Sequence, residues 1–219
     1  MAINAPKVPK PSDPQLVRRS QNSARESWRM FEIISEFVLA TERLNTIQPA
    51  VAIFGSARTT PDHPYYGVAE DIARRLSQAG FSVISGGGPG IMEAVNKGAY
   101  GGSSPSIGLN IQLPHEQGNN AYQDVSHTFQ HFFARKVMFV KLSCAFVMMP
   151  GGFGTMDELM EVLTLAQSSK IRRVPITSSA STPSMVTMGQ PMASIVSSSG
   201  STCCSSGSGI AWRVALYCG

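Results

Sequence analysis

Two glycine-rich segments carry the residues best suited to binding a charged ligand. Residues 85–93 read SGGGPGIME, and residues 150–158 read PGGFGTMDE. Glycine lets a backbone approach an anion closely, and the free N–H groups at a helix N-terminus favour phosphate. Together the two segments predict a site for a phosphorylated ligand, although glycines that only make tight turns would give the same pattern.

The spacing of these glycines argues against two common nucleotide sites. A dinucleotide site needs GxGxxG and an acidic residue at the end of the next strand, but residues 109–111 (LNI) contain no carboxylate. A phosphate-binding loop of the Walker type needs Lys followed by Ser or Thr, whereas Thr155 and Met156 follow Gly154. NAD binding and ATP hydrolysis are therefore disfavoured.

Three charged side chains stand close to these segments in the sequence. Asp157 and Glu158 fall in the expected first helical turn after Thr155, where an acid can complement the helix dipole or act beside a bound sugar phosphate. Arg135 precedes the apolar strand at residues 144–149 and could clamp a phosphate or carboxylate at the same sheet edge. Taken singly, each of the three also fits a surface ion pair.

The elements that must position these residues alternate between strand and helix. Strands are predicted at residues 50–54, 81–85, 106–111 and 144–149, an extended segment at 125–132, and helices at 66–79, 91–99, 134–142 and about 156–167. Apolar strands separated by helices form a parallel sheet, and its carboxyl edge binds ligands. The predicted fold class is α/β: a Rossmann-like, doubly wound parallel sheet with helices on both faces.

The two ends of the chain differ from this central part. Residues 1–21 are rich in proline and polar side chains and predict a flexible arm. Residues 22–45 predict a helix with Ser23 as its N-cap, packing on the main domain or on a second subunit. Residues 177–219 form a serine-rich tail in which Arg213 is the only charged residue, and this composition predicts disorder.

Composition excludes several classes of function. Hydrophobic residues make up 42% of the 219 residues, enough for a sizeable core. The net charge of +4 comes without a basic block, so no nucleic-acid partner is expected. No apolar run could span a membrane, and the N-terminus lacks the apolar stretch of a secretory signal. Cys144 lies in an apolar run, which suits a reducing cytoplasm, and the four histidines show no metal-ligand spacing.

The segment at residues 150–158 matches the PGGxGTxxE signature and resembles the Lonely Guy family. These are cytokinin riboside 5′-monophosphate phosphoribohydrolases, many of them mislabelled as lysine decarboxylases. Residues 85–93 and 54–58 (FGSAR) are also similar to the family, and the N-terminal helix resembles its longer subtype. The resemblance spans roughly residues 23–176.

This resemblance implies an activity. It implies hydrolysis of the N-glycosidic bond of a purine nucleoside 5′-monophosphate, of a cytokinin riboside or of adenosine, to free base and ribose 5-phosphate. The small-molecule nucleotide would be the partner, the protein a cytoplasmic homodimer, and no cofactor or metal would be needed. Residues 113–122 also resemble the subtype and are expected to form a loop over the site.

The resemblance also implies roles for individual residues. Arg135 and Glu158 match the catalytic arginine and glutamate of the family. Glu158 would bind the ribose hydroxyls, stabilise oxocarbenium-like charge or activate water, and Arg135 would position the substrate or assist departure of the base. The residues expected to bind substrate, mainly its phosphate, are Ser56, Gly87, Gly88, Glu93, Lys136, Gly151, Gly152, Gly154 and Thr155.

Alternative interpretations stay open. The same fold could serve as a non-catalytic nucleotide-binding or carrier module, although the presence of both Arg135 and Glu158 argues against it. Lysine decarboxylation has no recognisable pyridoxal-phosphate lysine. The resemblance stops after Ile176, where the family continues its strand and adds a final helix. We therefore hypothesise a frameshift near this residue, which would leave a truncated family member with impaired activity.

Overall fold

The computed structural model describes residues 14–113, 118–172 and 174–178. The chain divides into two compact units, residues 1–45 and residues 46–219. In the second unit six strands form one sheet: β1 (Ala50–Phe54), β2 (Ser82–Ser85), β3 (Ser106–Ile111), β4 (Val125–Phe129), β5 (Ser143–Met148) and β6 (Ile176–Ser178). Its helices are α2 (Pro64–Gln78), α3 (Ile91–Ala99), α4 (Phe132–Leu142) and α5 (Phe153–Gln167).

The sheet is entirely parallel and has the order β4-β3-β2-β1-β5-β6. The chain therefore moves outward from β1 to β4 and returns to the other side of β1 with β5 and β6. Such a reversal of strand order separates the loops that follow the two central strands, and ligands bind in the crevice between them. The crevice of this sheet lies beyond the ends of β1 and β5.

Alternate residues of β1 supply the two faces of the core. Val51 and Ile53 belong to a buried cluster that includes side chains of α2 and α3. Phe54 faces the opposite side, where its ring lies 4.8 Å from that of Phe139 on α4. Helices thus cover both faces of the sheet, and the predicted fold class is confirmed.

The helix of the first unit is longer than predicted. It is α1, and it runs over Pro14–Leu44, so residues 14–21 are helical rather than part of a flexible arm. Proline favours the first position of a helix, and the seven residues after Pro14 include no glycine or proline that would end it. Ser23, the predicted N-cap, accordingly lies inside the helix. The arm at residues 1–13 lies outside the described residues.

The last described strand reaches just past the predicted domain boundary. Phe146 of β5 pairs with Ile176, and Met148 pairs with Ser178. Thr177 and Ser178, assigned from sequence to the tail, therefore continue β6. The rest of that tail, residues 179–219, lies outside the described residues, so its predicted disorder stays a prediction.

Candidate active site

Three loops converge at the carboxyl edge of the sheet because their strands are neighbours. Ser56, in the loop after β1, connects the other two through its backbone. Its N–H donates to the carbonyl of Pro150 in the loop after β5, at 3.1 Å, and its carbonyl accepts from the N–H of Ile91 after β2, at 2.9 Å. The two glycine-rich segments that the sequence singled out therefore meet across Ser56.

Two glycines permit this close approach. A Cβ on Gly90, whose φ is +69°, would lie 2.5 Å from the carbonyl oxygen of Ser56. A Cβ on Gly151 would overlap the hydroxyl of Thr155 and lie 3.1 Å from the backbone N of Ser56. Any larger residue at either position would push the loops apart, so here the glycines do more than make turns.

A cavity of about 700 Å³ opens between these loops. Its volume is that of a site for a small ligand such as a nucleotide. Seven of the predicted site residues line it: Ser56, Gly88, Arg135, Gly152, Gly154, Thr155 and Glu158. The four others, Gly87, Glu93, Lys136 and Gly151, are not part of the lining.

Arg135 is partly buried and is anchored to the backbone of two neighbouring loops and strands. From α4 its Nε donates to the carbonyl of Leu109 at 2.6 Å, and Nη2 donates to the carbonyl of Gly86 at 3.4 Å. The guanidinium also lies 5.1 Å from the ring centre of Phe139. Burial lowers the pKa of Arg135, and the charge of Glu158 opposes that shift. Since an arginine stays protonated, the cavity has a fixed positive charge at the ends of β2 and β3.

Glu158 is a half-buried carboxyl facing this cavity. Burial raises the pKa of Glu158 to about 7, even though the positive charges of Arg135 and Lys136 lower it. The negative charges of Glu161 and Asp157 add to the increase. A carboxyl that titrates near neutral pH can both accept and donate a proton under physiological conditions.

The position of α5 corrects one detail of the sequence interpretation. The helix begins at Phe153, so Asp157 and Glu158 lie in its second turn and its first turn contains no acid. Helix-dipole complementation, the simpler explanation for both acids, therefore weakens, because the dipole effect falls off within the first turn.

Lys136 lies beside the cavity and pairs with α5. Its Nζ is 2.6 Å from Oδ2 of Asp157 and 3.0 Å from Oε2 of Glu161. Burial lowers the pKa of Lys136, but the hydrogen bonds to these two carboxylates outweigh it and the net shift is upward. The positive charge that the sequence assigned to substrate binding is thus already matched by two negative charges of the protein.

Glu93 and Gly87 also have structural partners. Glu93 accepts a hydrogen bond from the hydroxyl of Tyr66, at 3.1 Å, between α3 and α2. Burial, then this hydrogen bond, raises the pKa of Tyr66 to about 12. Gly87, with φ +72°, accepts at its carbonyl from the backbone N–H of Asn120 and from Nε2 of Gln123, each at 2.9 Å. Both predicted site residues thus support the walls of the cavity.

Some residues of the cavity were missed by sequence reasoning. Arg58, Met92, Asn110 and Phe132 all line it. Asn110 is 2% exposed, and its Nδ2 donates to Ser126 Oγ at 2.8 Å. Its position at the end of β3 was the available signal, since side chains there face the ligand edge of a parallel sheet.

The predicted loop over the site is described only in part. Residues 114–117 lie outside the described residues. On either side of them, Leu113 and Asn119 line the cavity. Asn120 donates from Nδ2 to the carbonyl of Gly88 at 3.0 Å, which holds this loop against the loop after β2.

Comparison with known proteins finds similarity to one family model and to several curated proteins. Residues 92–179 match the family model described as "Possible lysine decarboxylase". Curated relatives include two probable cytokinin riboside 5′-monophosphate phosphoribohydrolases of Oryza sativa subsp. japonica. One is 31% identical over 53% of this chain and 48% of its own length. The other is 35% identical over 47% of this chain and 50% of its own length. The chain therefore spans about half the length of these relatives.

Solved structures similar to this chain have lower identity. They include a molybdenum cofactor carrier protein from Chlamydomonas reinhardtii, 24% identical over 59% of this chain and 75% of that chain, with a TM-score of 0.43. A molybdenum cofactor binding protein from Rippkaea orientalis is 22% identical over 61% and 77%, also with a TM-score of 0.43. Within the described part of the chain, no helix has the length and apolar character needed to cross a membrane.

The family model ends at residue 179, close to Ile176, where the sequence resemblance stops. The matched range, residues 92–179, includes the segment at residues 150–158. Over about half of its length, this chain is confirmed to resemble the Lonely Guy family of cytokinin riboside 5′-monophosphate phosphoribohydrolases.

Proposed function

We propose that this protein is a phosphoribohydrolase acting on a purine nucleoside 5′-monophosphate, from a cytokinin riboside or adenosine. The observation that carries the proposal is the presence of Arg135 and Glu158 in one cavity beside two glycine-rich loops, with burial raising the pKa of Glu158 to about 7. The relatives named as phosphoribohydrolases support the same chemistry.

The loop at residues 151–155 is suited to hold the 5′-phosphate. Its backbone leads into the N-terminus of α5, where free N–H groups and the helix dipole favour an anion. Thr155 adds a hydroxyl, and Ser56 faces the same cavity from the loop after β1. With the phosphate at this loop, the ribose would lie along the first turns of α5, within reach of Glu158.

Cleavage of the N-glycosidic bond places positive charge on the ribose. The bond between C1′ and the base nitrogen breaks, its electron pair leaves with the base, and an oxocarbenium-like centre forms. Ionised Glu158 would stabilise that centre and accept a proton from the attacking water, whose oxygen bonds to C1′. The base leaves and takes up a proton equivalent to the one that Glu158 accepted from water, which returns Glu158 to its ionised form, and ribose 5-phosphate remains.

Arg135 and an apolar wall would hold the base. Met92, Ile111, Leu113 and Phe132 line the cavity and offer apolar surface to a planar purine. Two N–H groups of Arg135 donate to backbone carbonyls, which fixes the guanidinium plane. A fixed cation there would stabilise negative charge that develops on the departing base.

A homodimer is part of this proposal, and exposed apolar side chains support it. The spacing of Met156, Leu159, Met160 and Leu163 places them on one apolar face of α5, yet Val162 is its only fully buried residue among those described. Phe153 is 96% exposed and Met160 is 52% exposed, and Phe133 of α4 is 48% exposed. Apolar surface of this kind beside a ligand cavity is typical of an interface between proteins.

Two further parts of the proposal rest on the sequence. A cytoplasmic location is inferred from Cys144, which lies in an apolar run and suits a reducing compartment. The frameshift hypothesis concerns the tail after Ile176, and the coding DNA tests it. A family-like continuation in another reading frame is expected, and its absence from both other frames would refute the hypothesis.

Product analysis tests the proposed activity. The protein is incubated with AMP and with isopentenyladenosine 5′-monophosphate, and chromatography quantifies free base and ribose 5-phosphate. We expect both products in equal amounts. Binding of the nucleotides without release of base would refute the enzyme and favour the non-catalytic nucleotide-binding module.

A further inference from the structure

Some charged side chains around the cavity are already paired with other groups of the protein, and others are available to bind a ligand. Arg58, Arg135, Asp157 and Glu158 line it. Asp157 is neutralised by Lys136 from beside the cavity, at 2.6 Å. A phosphate monoester has close to two negative charges at neutral pH, so its binding site benefits from a cation that the protein has not already paired.

Two of the nearby cations have other partners. Lys136 bridges Asp157 and Glu161 and is only 19% exposed at its side chain. Arg135 is held by the carbonyls of Leu109 and Gly86, at the ends of β3 and β2. Moving either group toward a phosphate would break contacts that are satisfied in the structure.

Arg58 differs from both. It lies in the loop after β1, between the two glycine-rich loops, and its backbone N–H donates to Ser56 Oγ at 3.1 Å. Its side chain is exposed at the cavity and forms no ion pair with any described carboxylate. Because Ser56 is bonded to Pro150, this loop brings Arg58 beside the proposed phosphate loop.

We propose that Arg58 is a specificity-determining residue that binds the 5′-phosphate of the substrate. This inference rests on the proposed function and names the cation of its phosphate subsite. The planar guanidinium matches two phosphate oxygens, which a lysine ammonium cannot do. Arg58 thereby selects nucleotides over nucleosides, while the glycine loops and Thr155 fix the position of the phosphate.

The test measures binding and turnover of Arg58→Gln. Calorimetry with AMP and with adenosine gives the preference for the phosphorylated ligand, and we expect that preference to fall roughly tenfold or more, the worth of a hydrogen bond to a charged group. The KM for AMP should rise by a similar factor, with kcat changed less than threefold. Arg58→Lys should recover part of the loss.

Arg75→Gln is the matched control, because Arg75 is an exposed arginine of α2 that pairs with Asp71. The inference is overturned if Arg58→Gln and Arg75→Gln keep the same preference for AMP over adenosine. Its failure is distinct from failure of the proposed function. A wild-type protein that releases no base refutes the activity, whereas the calorimetric comparison still decides whether Arg58 binds the phosphate.

Discussion

Replacement of Lys136 by glutamine should shift the pH dependence of turnover. The lysine is the bridge between α4 and α5, at 2.6 Å from Asp157 and 3.0 Å from Glu161. These two carboxylates flank Glu158 on α5, and both raise its pKa, whereas Lys136 lowers it. Without the lysine, a proton on Glu158 becomes more favourable, so the pKa of Glu158 must rise above its value of about 7.

The size of the pKa shift of Glu158 follows from the loss of the positive charge of Lys136. Lys136 lies 3.0 Å from Glu161, and side chains three residues apart on a helix, such as Glu158 and Glu161, lie roughly 5–6 Å apart. A unit charge near that distance is worth about 1 kcal/mol at an effective dielectric between those of protein surface and water. One pKa unit corresponds to about 1.4 kcal/mol, so the shift is roughly half a unit to one unit. The ionised fraction of Glu158 at pH 7 then falls from about one half to roughly 10–25%.

The assay is kcat for AMP measured from pH 5 to 9. If ionised Glu158 is the active form, activity rises with pH, and the midpoint for Lys136→Gln should lie roughly half a unit to one unit higher with a similar plateau at pH 9. Lys97→Gln is the control, because Lys97 loses an ion pair with Glu70 between α3 and α2. An unchanged or lowered midpoint for Lys136→Gln, or an equal shift in the control, would refute this reasoning.

The remaining predictions concern fit, stability and assembly. Gly151→Ala should weaken AMP binding in calorimetry because its methyl group would overlap Thr155; unchanged affinity would show that the loop has room. The raised pKa of Glu158 stabilises the fold at low pH, and this contribution is lost as pH rises through about 7. Glu158→Gln should therefore have a higher Tm than wild type at pH 8 and a smaller advantage at pH 5, and a lower Tm at pH 8 would contradict the assignment. Met160→Glu should convert a dimer to a monomer in light scattering, whereas Glu70→Gln should not; a dimer retained in Met160→Glu would exclude this face of α5 as the interface.

The sequence predicts the sheet well because its signals are local. Short, largely apolar runs of five or six residues marked four of the strands, two of them followed by glycine, and β3 (Ser106–Ile111) has the predicted bounds. The sequence also indicates the position of the site, because the acids at residues 157–158 follow a glycine-rich turn at the end of a strand. The three loops meet at Ser56 because β2, β1 and β5 are neighbours in the sheet. Consecutive strands of a parallel sheet tend to be neighbours, so this strand order is partly predictable.

Long charged side chains are harder to assign from sequence. Lys136 is next to Arg135 in the chain, yet one pairs with α5 and the other with the carbonyls of Leu109 and Gly86. Which way each side chain extends depends on what the neighbouring elements offer, and spacing along one helix does not contain that information. Met160 shows the same limit, because the helical period predicts one apolar face but not what covers it.

The central claim is that Glu158 carries out cleavage of a nucleotide N-glycosidic bond in this cavity. The most direct measurement is the rate of base release from AMP by Glu158→Gln, with AMP binding measured on the same sample and Glu70→Gln as a charge-matched control that does not line the cavity. We predict that Glu158→Gln binds AMP but releases base at least ~100-fold more slowly than wild type, the lower end of the range for general acid–base groups, while Glu70→Gln keeps its rate. Base release by Glu158→Gln at the wild-type rate would contradict the account.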